Sequence, residues 1–407
     1  MVKLGIVGLG QRGAQMLKTF LAIENVDVVA LCDCYQDRVE NAYEVVKQER
    51  GTYATQYTDF SKFIEDERIE VVYISSSWDE HIAMAIQSMR AGKVTAMEVG
   101  GAYTVEECWE LVRAYEDTKT PIMMMENCCF DQFELLATAL ARKGKFGEIV
   151  HCHGAYTHDL RDEVLGGRIN RHYRLKNYMY RNCENYPTHE LGPIAKLLHV
   201  NRGNRMVKLV SVASKACGLQ AFAKTDKNQD KTLENVCFKQ GDIINTLITC
   251  ANGETISLKL DTTLPSYYTR EFTVRGTQGF ALQDFNAILL EDEVDLHESY
   301  TPAWMVEKHL NSAKKYQDSM PIFWKEMTEE KKRLGHGGMD YYMCTEFIKA
   351  VENGLDMPID VYDAASWAAI TALSEKSIAL GGQAVDIPDF TNGKWLTREP
   401  KDVIKFN

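Results

Sequence analysis

A glycine-rich turn placed directly after an apolar strand constrains the fold of this chain more than any other feature. Residues 3 to 10 form an apolar stretch that runs into Gly8-Leu9-Gly10-Gln11-Arg12-Gly13. An amphipathic helical stretch and a second apolar strand from Val26 to Leu31 follow. In such a unit the glycines Gly8, Gly10 and Gly13 permit a tight turn, close approach of the backbone to a pyrophosphate, and helix–strand packing. The pattern predicts a dinucleotide-binding Rossmann unit, with an ordinary tight turn as the alternative.

The acidic residue at the end of the second strand indicates which dinucleotide binds. Asp33 follows Gly10 by 23 residues, where a carboxylate can accept hydrogen bonds from the adenosine ribose hydroxyls. A carboxylate there would repel a 2'-phosphate, so NAD is favoured over NADP. Arg12 keeps the NADP alternative open, because its side chain could reach a phosphate.

Further strand–helix units complete the first half of the chain. Strands are predicted over residues 70–74, 93–98 and 121–126, and a helix is predicted from near Thr104, capped by Thr104 with Glu106 and Glu107. Ligands of open α/β sheets bind outside the carboxyl ends of the strands. Those ends carry Trp78, His81, Glu98, Glu126 and Asn127. We therefore predict a doubly wound, parallel α/β domain over residues 1–128.

The hydrophobic pattern changes from about Cys129. A helix is predicted over Gln132–Lys143, and alternation of apolar and polar residues predicts strands over 149–157, 208–216, 242–250, 255–261 and 272–276. Asn252-Gly253 is a hairpin turn signal between two of them. Residues 129–407 are thus predicted to form an α+β domain with a mostly antiparallel sheet, for substrate binding or oligomerisation. Its C-terminal helices have the option of packing back on the first domain. The charged stretch from Met327 to Leu334 is predicted to be a solvated helix.

Two short segments of this second half concentrate side chains with chemical potential. Tyr186 and His189 lie three apart at a predicted helix start, where both can point to one face, and Arg174 precedes them. They offer a phenol, an acid/base group and a cation; the alternative is an N-capping Thr188 with His189 satisfied in the interior. Gly335 to Tyr341 surrounds His336 with glycines and suggests a pocket wall or a domain-contact loop.

Composition excludes several classes of function. A formal net charge of -12 argues against a nucleic-acid partner, and no stretch reaches the length of an apolar membrane span. The first strand begins almost at Met1, which predicts a cytoplasmic protein as given and leaves export of a longer precursor open. The eleven cysteines contain no CxxC pair and are predicted to be reduced thiols. The alternating His151, His153 and His158 lack a carboxylate at a convincing spacing, so no metal is predicted.

Several motifs together resemble the Gfo/Idh/MocA superfamily and, more narrowly, glycoside hydrolase family 109. These are GLGQRG from Gly8, the acid Asp33, WDEH from Trp78, EVGG from Glu98, MMMEN from Met123, YPTHELGP from Tyr186, NRGNR from Asn201, GHGGMDY from Gly335 and IPDFTNGKW from Ile387. They run nearly end to end. The family pattern has EVPA where this chain has Glu98-Val99-Gly100-Gly101. The segment between Asp159 and Arg174 is short, which leaves other hexosaminides and the β-anomer as alternative substrates.

The resemblance implies two sets of contacts. It implies NAD contacts at Gln11, Arg12, Asp33, Trp78, Asp79, Glu80, His81, Glu98, Val99 and Asn127, with Tyr186 close to the nicotinamide. It implies sugar contacts at Tyr156, Arg174, Tyr186, Pro187, Thr188, His189 and Tyr268. It also implies a small carbohydrate or a terminal glycan sugar as the partner, and a homo-oligomer through the C-terminal sheet as an option.

The resemblance further implies an NAD-dependent glycosidase acting on terminal α-N-acetylgalactosamine or a related N-acetylhexosaminide. Its route is transient oxidation at C3, deprotonation at C2, elimination, addition of water and return of the hydride, instead of the usual two carboxylates. Tyr186 and His189 would move protons, Tyr156 is the alternative base, and Arg174 would stabilise negative charge. Val99 stands where related dehydrogenases have a lysine. A sugar dehydrogenase that releases NADH and a non-catalytic NAD-sensing protein remain the rival hypotheses.

Overall fold

The computed structural model describes residues 1–294 and 301–406, which form two units by their tertiary contacts. The first unit consists of Met1–Phe130 and Glu326–Ala369. The second consists of Asp131–Lys325, without the undescribed residues, and the chain from Ile370 onward. The domain limits expected from sequence, 1–128 and 129–407, stay a prediction beside these units.

Six parallel strands form the sheet of the first unit. They are β1 (Val2–Val7), β2 (Val26–Cys32), β3 (Thr55–Tyr57), β4 (Val71–Ile74), β5 (Val94–Met97) and β6 (Ile122–Met124). The helices between them are α1 (Gln11–Leu21), α2 (Gln36–Arg50), α3 (Phe60–Ile64), α4 (His81–Arg90) and α5 (Val105–Thr118). The strand order is β3-β2-β1-β4-β5-β6, so the order reverses beside β1. Ligands of such sheets bind at this reversal, outside the carboxyl ends of the strands.

Burial explains why these strands are apolar along their whole length. All four residues of β4 are buried, because helices cover both faces of a parallel sheet. The predicted cap of α5 is confirmed: the Thr104 hydroxyl accepts from the Glu107 N–H, and the Glu107 carboxylate accepts from the Thr104 N–H. The doubly wound fold expected from sequence is confirmed as well.

The second stretch of the chain builds a larger mixed sheet. Its elements are α6 (Gln132–Arg142), β7 (Ile149–Thr157), α7 (Arg161–Leu165), α8 (Arg174–Tyr180), α9 (Thr188–Leu197), β8 (Met206–Ala213), α10 (Gly218–Ala223), β9 (Ile243–Cys250), β10 (Thr255–Asp261), β11 (Thr273–Gly276), β12 (Gly279–Leu282), β13 (Ala287–Leu290), α11 (Pro302–His309) and α12 (Ile322–Lys325). After them come α13 (Glu329–Lys332) and α14 (Met339–Glu352), which belong to the first unit, α15 (Val361–Ala379), which contributes residues to both, and β14 (Val385–Asp386).

The eight strands of the second unit follow the order β13-β12-β11-β7-β10-β9-β8-β14. Every pair is antiparallel except β7 with β10, which confirms a mostly antiparallel sheet. The predicted hairpin at Asn252-Gly253 joins β9 to β10. Along β9 buried and exposed residues alternate, so one face of the sheet is covered. The predicted helix over Met327–Leu334 was too long, because α13 spans only four residues.

Among the residues that the structure describes, none of the helices combines the length and the apolar character that crossing a membrane requires.

Candidate functional site

The glycine-rich turn of the first unit leaves no space for side chains at two of its positions. Gly8 has a φ of +84°, in the left-handed region that favours glycine. A Cβ on Gly13 would lie 1.8 Å from the Gly8 carbonyl oxygen. Helix α1 starts at Gln11, and its first N–H groups and positive dipole end make a site for an anion. The turn therefore fits a pyrophosphate.

Asp33 is held rigidly beside this turn at the end of β2. The side chain is buried, and its carboxylate accepts from the Leu9 N–H at 2.7 Å and from the Tyr35 N–H at 2.9 Å. Arg38 Nη1 lies 3.7 Å from the same carboxylate. A fixed carboxylate at the strand end fits the ribose hydroxyls of NAD, as the sequence predicts.

Arg12 is bound by two carboxylates within the first unit. Its Nε donates to Glu98 at 3.0 Å, and its two terminal nitrogens donate to Asp340 at 2.7 and 3.0 Å. The Tyr73 hydroxyl donates to Glu98 at 2.7 Å, and the Asn127 amide donates to Asp340 at 2.8 Å. Since this guanidinium is engaged by protein carboxylates, the reason for keeping NADP open is weakened. The cluster also includes His336 Nδ1, 2.8 Å from Asp340.

The predicted cofactor residues after β4 and β5 differ in their exposure. Trp78, His81 and Val99 are buried, whereas Asp79 and Glu80 are exposed, as is Gln11 at the start of α1. Burial lowers the pKa of His81 to about 4, so this imidazole is neutral at neutral pH.

Gly100, where the family pattern has proline, allows two of these rings to pack closely. A Cβ on Gly100 would lie 2.5 Å from Trp78 Cδ1 and 2.6 Å from His81 Cε1. Glycine at this position, where the family pattern has proline, therefore permits the close packing of Trp78 and His81.

Two alanine substitutions should separate the structural role of the turn from its role in binding. We expect Gly13→Ala to lower the melting temperature of the NAD-free protein, because the new methyl group meets backbone. Gly10→Ala should leave that temperature unchanged, since its Cβ would make only a 3.4 Å contact with Arg38. It should weaken NAD about tenfold or more, equivalent to ~1.4 kcal/mol. Calorimetry with and without NAD measures both, and unchanged NAD affinity of Gly10→Ala would contradict the assignment of the turn.

In the second unit three aromatic side chains meet around the end of β7. The ring centroids of Tyr156 and Tyr186 are 4.8 Å apart, those of Tyr186 and His189 are 4.7 Å apart, and those of Tyr156 and His189 are 5.4 Å apart. Tyr156 and Tyr186 are buried, and His189 is half-buried. A phenol pair beside an imidazole can accept, donate and relay protons.

The local geometry that brings Tyr186 to His189 differs from the expected one. Helix α9 begins at Thr188, and Pro187 occupies the N-cap position. Tyr186 therefore lies before the helix, and its closeness to His189 does not come from helical spacing. The alternative interpretation of Thr188 as the N-cap residue is wrong for the same reason. The Thr188 side chain is buried.

Arg174 and Tyr268 extend this cluster on two sides. The Arg174 guanidinium lies over the Tyr186 ring, 5.0 Å from its centroid, and Arg174 Nε is 3.2 Å from a carboxylate oxygen of Glu163. Arg174 is buried, whereas Tyr268 is exposed and its ring is 6.3 Å from that of Tyr156. Arg174 can thus supply a fixed positive charge, and Tyr268 an aromatic surface accessible to a ligand.

His158 is a member of the cluster that the sequence analysis did not assign to it. Its Nδ1 lies 3.4 Å from the Tyr156 hydroxyl, and its ring packs edge-on against Tyr268 at 5.3 Å. Burial lowers the pKa of His158, with Arg174 and His189 adding to the effect, so the ring is neutral at neutral pH and can accept a hydrogen bond from the phenol. Its position two residues after Tyr156, on the same face of an extended strand, was the available signal.

Two family models match consecutive parts of the chain. Residues 2–126 match the oxidoreductase family with an NAD-binding Rossmann fold of the Gfo/Idh/MocA type. Residues 130–397 match the C-terminal domain of glycosyl hydrolase 109.

Similar proteins cover nearly the whole chain. An alpha-N-acetylgalactosaminidase of Tannerella forsythia is 35% identical and aligns with 98% of this chain and 88% of its own length. An alpha-N-acetylgalactosaminidase of Bacteroides fragilis is 37% identical, with 97% and 93% covered. Among solved structures, levoglucosan dehydrogenase in complex with NADH and levoglucosan has a TM-score of 0.69 at 19% identity, over 95% of this chain and 99% of that one. Myo-inositol 2-dehydrogenase of Lactobacillus plantarum has a TM-score of 0.65 at 17% identity, over 95% and 99%.

The dehydrogenase structures share the fold alone, whereas the sequence relatives and the C-terminal model fix the family. The chain belongs to glycosyl hydrolase family 109 and carries the NAD-binding Rossmann domain of the Gfo/Idh/MocA superfamily.

Proposed function

We propose that the protein is an NAD-dependent glycosidase that hydrolyses terminal N-acetylhexosaminides, with α-linked N-acetylgalactosamine as the preferred sugar. The observation that carries the proposal is the packing of Tyr156, Tyr186 and His189 with Arg174 in a unit that matches the family 109 domain. The names of the two relatives support the choice of sugar.

The residues of the first unit would hold the cofactor. The glycine turn and the N-terminus of α1 would bind the pyrophosphate, and Asp33 would accept from the ribose hydroxyls. Asn127 and Glu98 would stay oriented through Asp340 and Arg12. Bound there, NAD would supply the hydride acceptor for oxidation at C3 of the sugar and the hydride donor that restores C3 at the end of the cycle.

The residues of the second unit would move the protons. Tyr186 and His189 would take the C3 hydroxyl proton and, once C3 is a ketone, the C2 proton. Tyr156, with its partner His158, is the alternative base. Arg174 would stabilise the enolate oxygen. The C1–oxygen bond then breaks and the leaving group departs with the electron pair. Water adds at C1, and the base returns the proton to C2.

A panel of α- and β-linked aryl glycosides, assayed without added NAD, tests this function. We expect release of the aryl alcohol from the α-linked N-acetylgalactosamine substrate, no net NADH, and deuterium at C2 of the product in heavy water, because the C2 proton exchanges on the base. Accumulation of NADH with a free sugar, without cleavage of any glycoside, would instead establish the sugar dehydrogenase. NAD binding without either reaction would favour the hypothesis of a non-catalytic NAD-sensing protein.

Self-association through the second sheet stays a prediction. Two neighbouring strands, β8 and β9, present Val212 and Leu247 about half exposed, at 51% and 50%, and such residues could contribute to a contact between copies. Sedimentation velocity of wild type and Leu247→Lys measures it.

A further inference from the structure

Two buried glutamates flank the segment that carries Tyr186 and His189. Glu184 precedes this segment and Glu190 follows it, in the first turn of α9; they are 0% and 1% exposed. One oxygen of each carboxyl group accepts a backbone N–H: Glu184 from Tyr186 at 3.4 Å, and Glu190 from Lys259 at 2.9 Å. The proposed mechanism uses neither residue.

The other oxygen of each carboxyl group is also buried. Neither Glu184 Oε2 nor Glu190 Oε1 accepts a hydrogen bond of normal geometry from the described residues, although the Tyr156 N–H lies near the Glu190 carboxyl group. The two carboxyl groups are within hydrogen-bonding reach of each other. Two cations of neighbouring segments pair with other carboxylates, Lys259 with Glu271 and Arg181 with Glu375.

Two carboxylates in such a place cannot both be ionised. Their burial and mutual repulsion favour retention of one proton, which can then bridge the two carboxyl groups. Burial raises the pKa of Glu184 to about 8, and burial with the Glu184 charge raises the pKa of Glu190. A bridging proton turns a repulsive pair into a short hydrogen bond between the two ends of the segment.

The pair is anchored to three surrounding elements of the second unit. The Glu184 backbone accepts from the Thr371 hydroxyl at 2.7 Å and donates to Ser374 at 2.8 Å, both in α15. Through Lys259, Glu190 is tied to β10, whose next residue lies opposite Tyr156 of β7. On β7, a Cβ at Gly154 would lie only 2.4 Å from the Glu190 carbonyl oxygen, so glycine lets α9 approach the strand.

We propose that Glu184 and Glu190 share one proton as a buried acid–carboxylate pair, and that this pair positions Tyr186 and His189 against Tyr156. The sharing of the proton is independent of the reaction, whereas the positioning role rests on the proposed function. Both are positioning residues, since they act through the aromatic cluster.

Infrared spectroscopy of the NAD-loaded protein tests the shared proton. At neutral pH we expect a protonated carboxyl stretch that disappears in Glu184→Gln and equally in Glu190→Gln, because one proton serves both groups. Burial raises the pKa of Glu134 to about 7, so this group adds a carboxyl stretch of its own at neutral pH. The comparison is therefore made in the Glu134→Gln background, which should keep the band of the Glu184–Glu190 pair. Persistence of the band in Glu184→Gln or in Glu190→Gln overturns proton sharing. This result does not depend on whether the protein hydrolyses a glycoside.

Kinetics and the His189 titration test the positioning role. Glu190→Gln can still donate a hydrogen bond to Glu184 and should keep kcat within about threefold, whereas Glu190→Leu cannot and should lower kcat up to about 10²-fold with a smaller change in KM. In nuclear magnetic resonance titrations, the midpoint pH of the His189 imidazole should differ from that of the wild type in Glu190→Leu and should be unchanged in Glu190→Gln. Wild-type kcat and an unshifted His189 titration in Glu190→Leu would overturn the positioning role. An inactive wild type with a shifted titration would overturn only the proposed function.

Discussion

Replacement of His189 by alanine is expected to lower kcat for glycoside hydrolysis by about 10²- to 10⁴-fold, the usual contribution of a positioned acid or base. The imidazole packs within 4.7 Å of the Tyr186 ring and 5.4 Å of the Tyr156 ring, measured between centroids. Its loss removes a proton acceptor from the aromatic cluster. Turnover of an aryl glycoside and the NAD content of the purified variant are the measurements.

A second histidine in the same unit provides the matched control. His151 lies on β7 and hydrogen bonds to Thr255 at 2.8 Å, outside the aromatic cluster. His151→Ala should therefore retain kcat near that of the wild type. Near-normal turnover of His189→Ala with NAD bound would contradict its role in moving protons and leave the Tyr156–His158 pair as the base.

The fold of the first unit could be predicted because each of its signals is local. The glycine turn, the apolar strands and the capping box of α5 are each contained within about one helical turn or one strand. The strands β7 and β10 were also predicted with their observed limits. The parallel pairing of these two strands was not, since it depends on contacts between residues about one hundred positions apart, such as Tyr156 with Leu260.

The candidate site could be predicted where its residues share one short segment of the sequence. It was missed where the interacting residues are far apart in the sequence. Tyr186 and His189 share one short segment, although the expected helical spacing was the wrong reason for their proximity. Asp340 lies 328 residues from Arg12, and nothing near either residue indicates that they pair. His158 was noticed only as a candidate metal ligand, and its contact with Tyr156 depends on the course of the chain after β7.

Replacement of Arg12 by methionine is expected to lower the free energy of unfolding by about 3 kcal/mol at neutral pH, the lower end of the range for a broken buried ion pair. The guanidinium is 26% exposed, whereas its partners Glu98 and Asp340 have side chains that are 8% and 0% exposed. Methionine is similar in length but leaves two buried carboxylates without their cation. Urea unfolding of the NAD-free protein measures the difference.

Arg113 supplies the matched control, because its pair with Glu106 is exposed on both sides, at 52% and 66%. Arg113→Met should change the free energy of unfolding by less than about 1 kcal/mol.

The loss of unfolding free energy in Arg12→Met should depend on pH. Burial alone would raise the pKa of Asp340, but the Arg12 charge and hydrogen bonds from His336 and Arg12 overcome it, so the pKa lies well below its ordinary value. A carboxyl group with a depressed folded pKa contributes stability above its unfolded pKa of about 3.9, and this contribution is lost as the pH falls toward the folded value. Without the Arg12 charge, burial raises the pKa of the Asp340 carboxyl group in the folded variant above the unfolded value. The folded variant then takes up protons as the pH falls from neutral to about pH 4, and this uptake stabilises it. The deficit of Arg12→Met should therefore shrink between neutral pH and about pH 4. A deficit below about 1 kcal/mol at neutral pH, or one that does not change with pH, would mean that Arg12 does not hold these carboxylates.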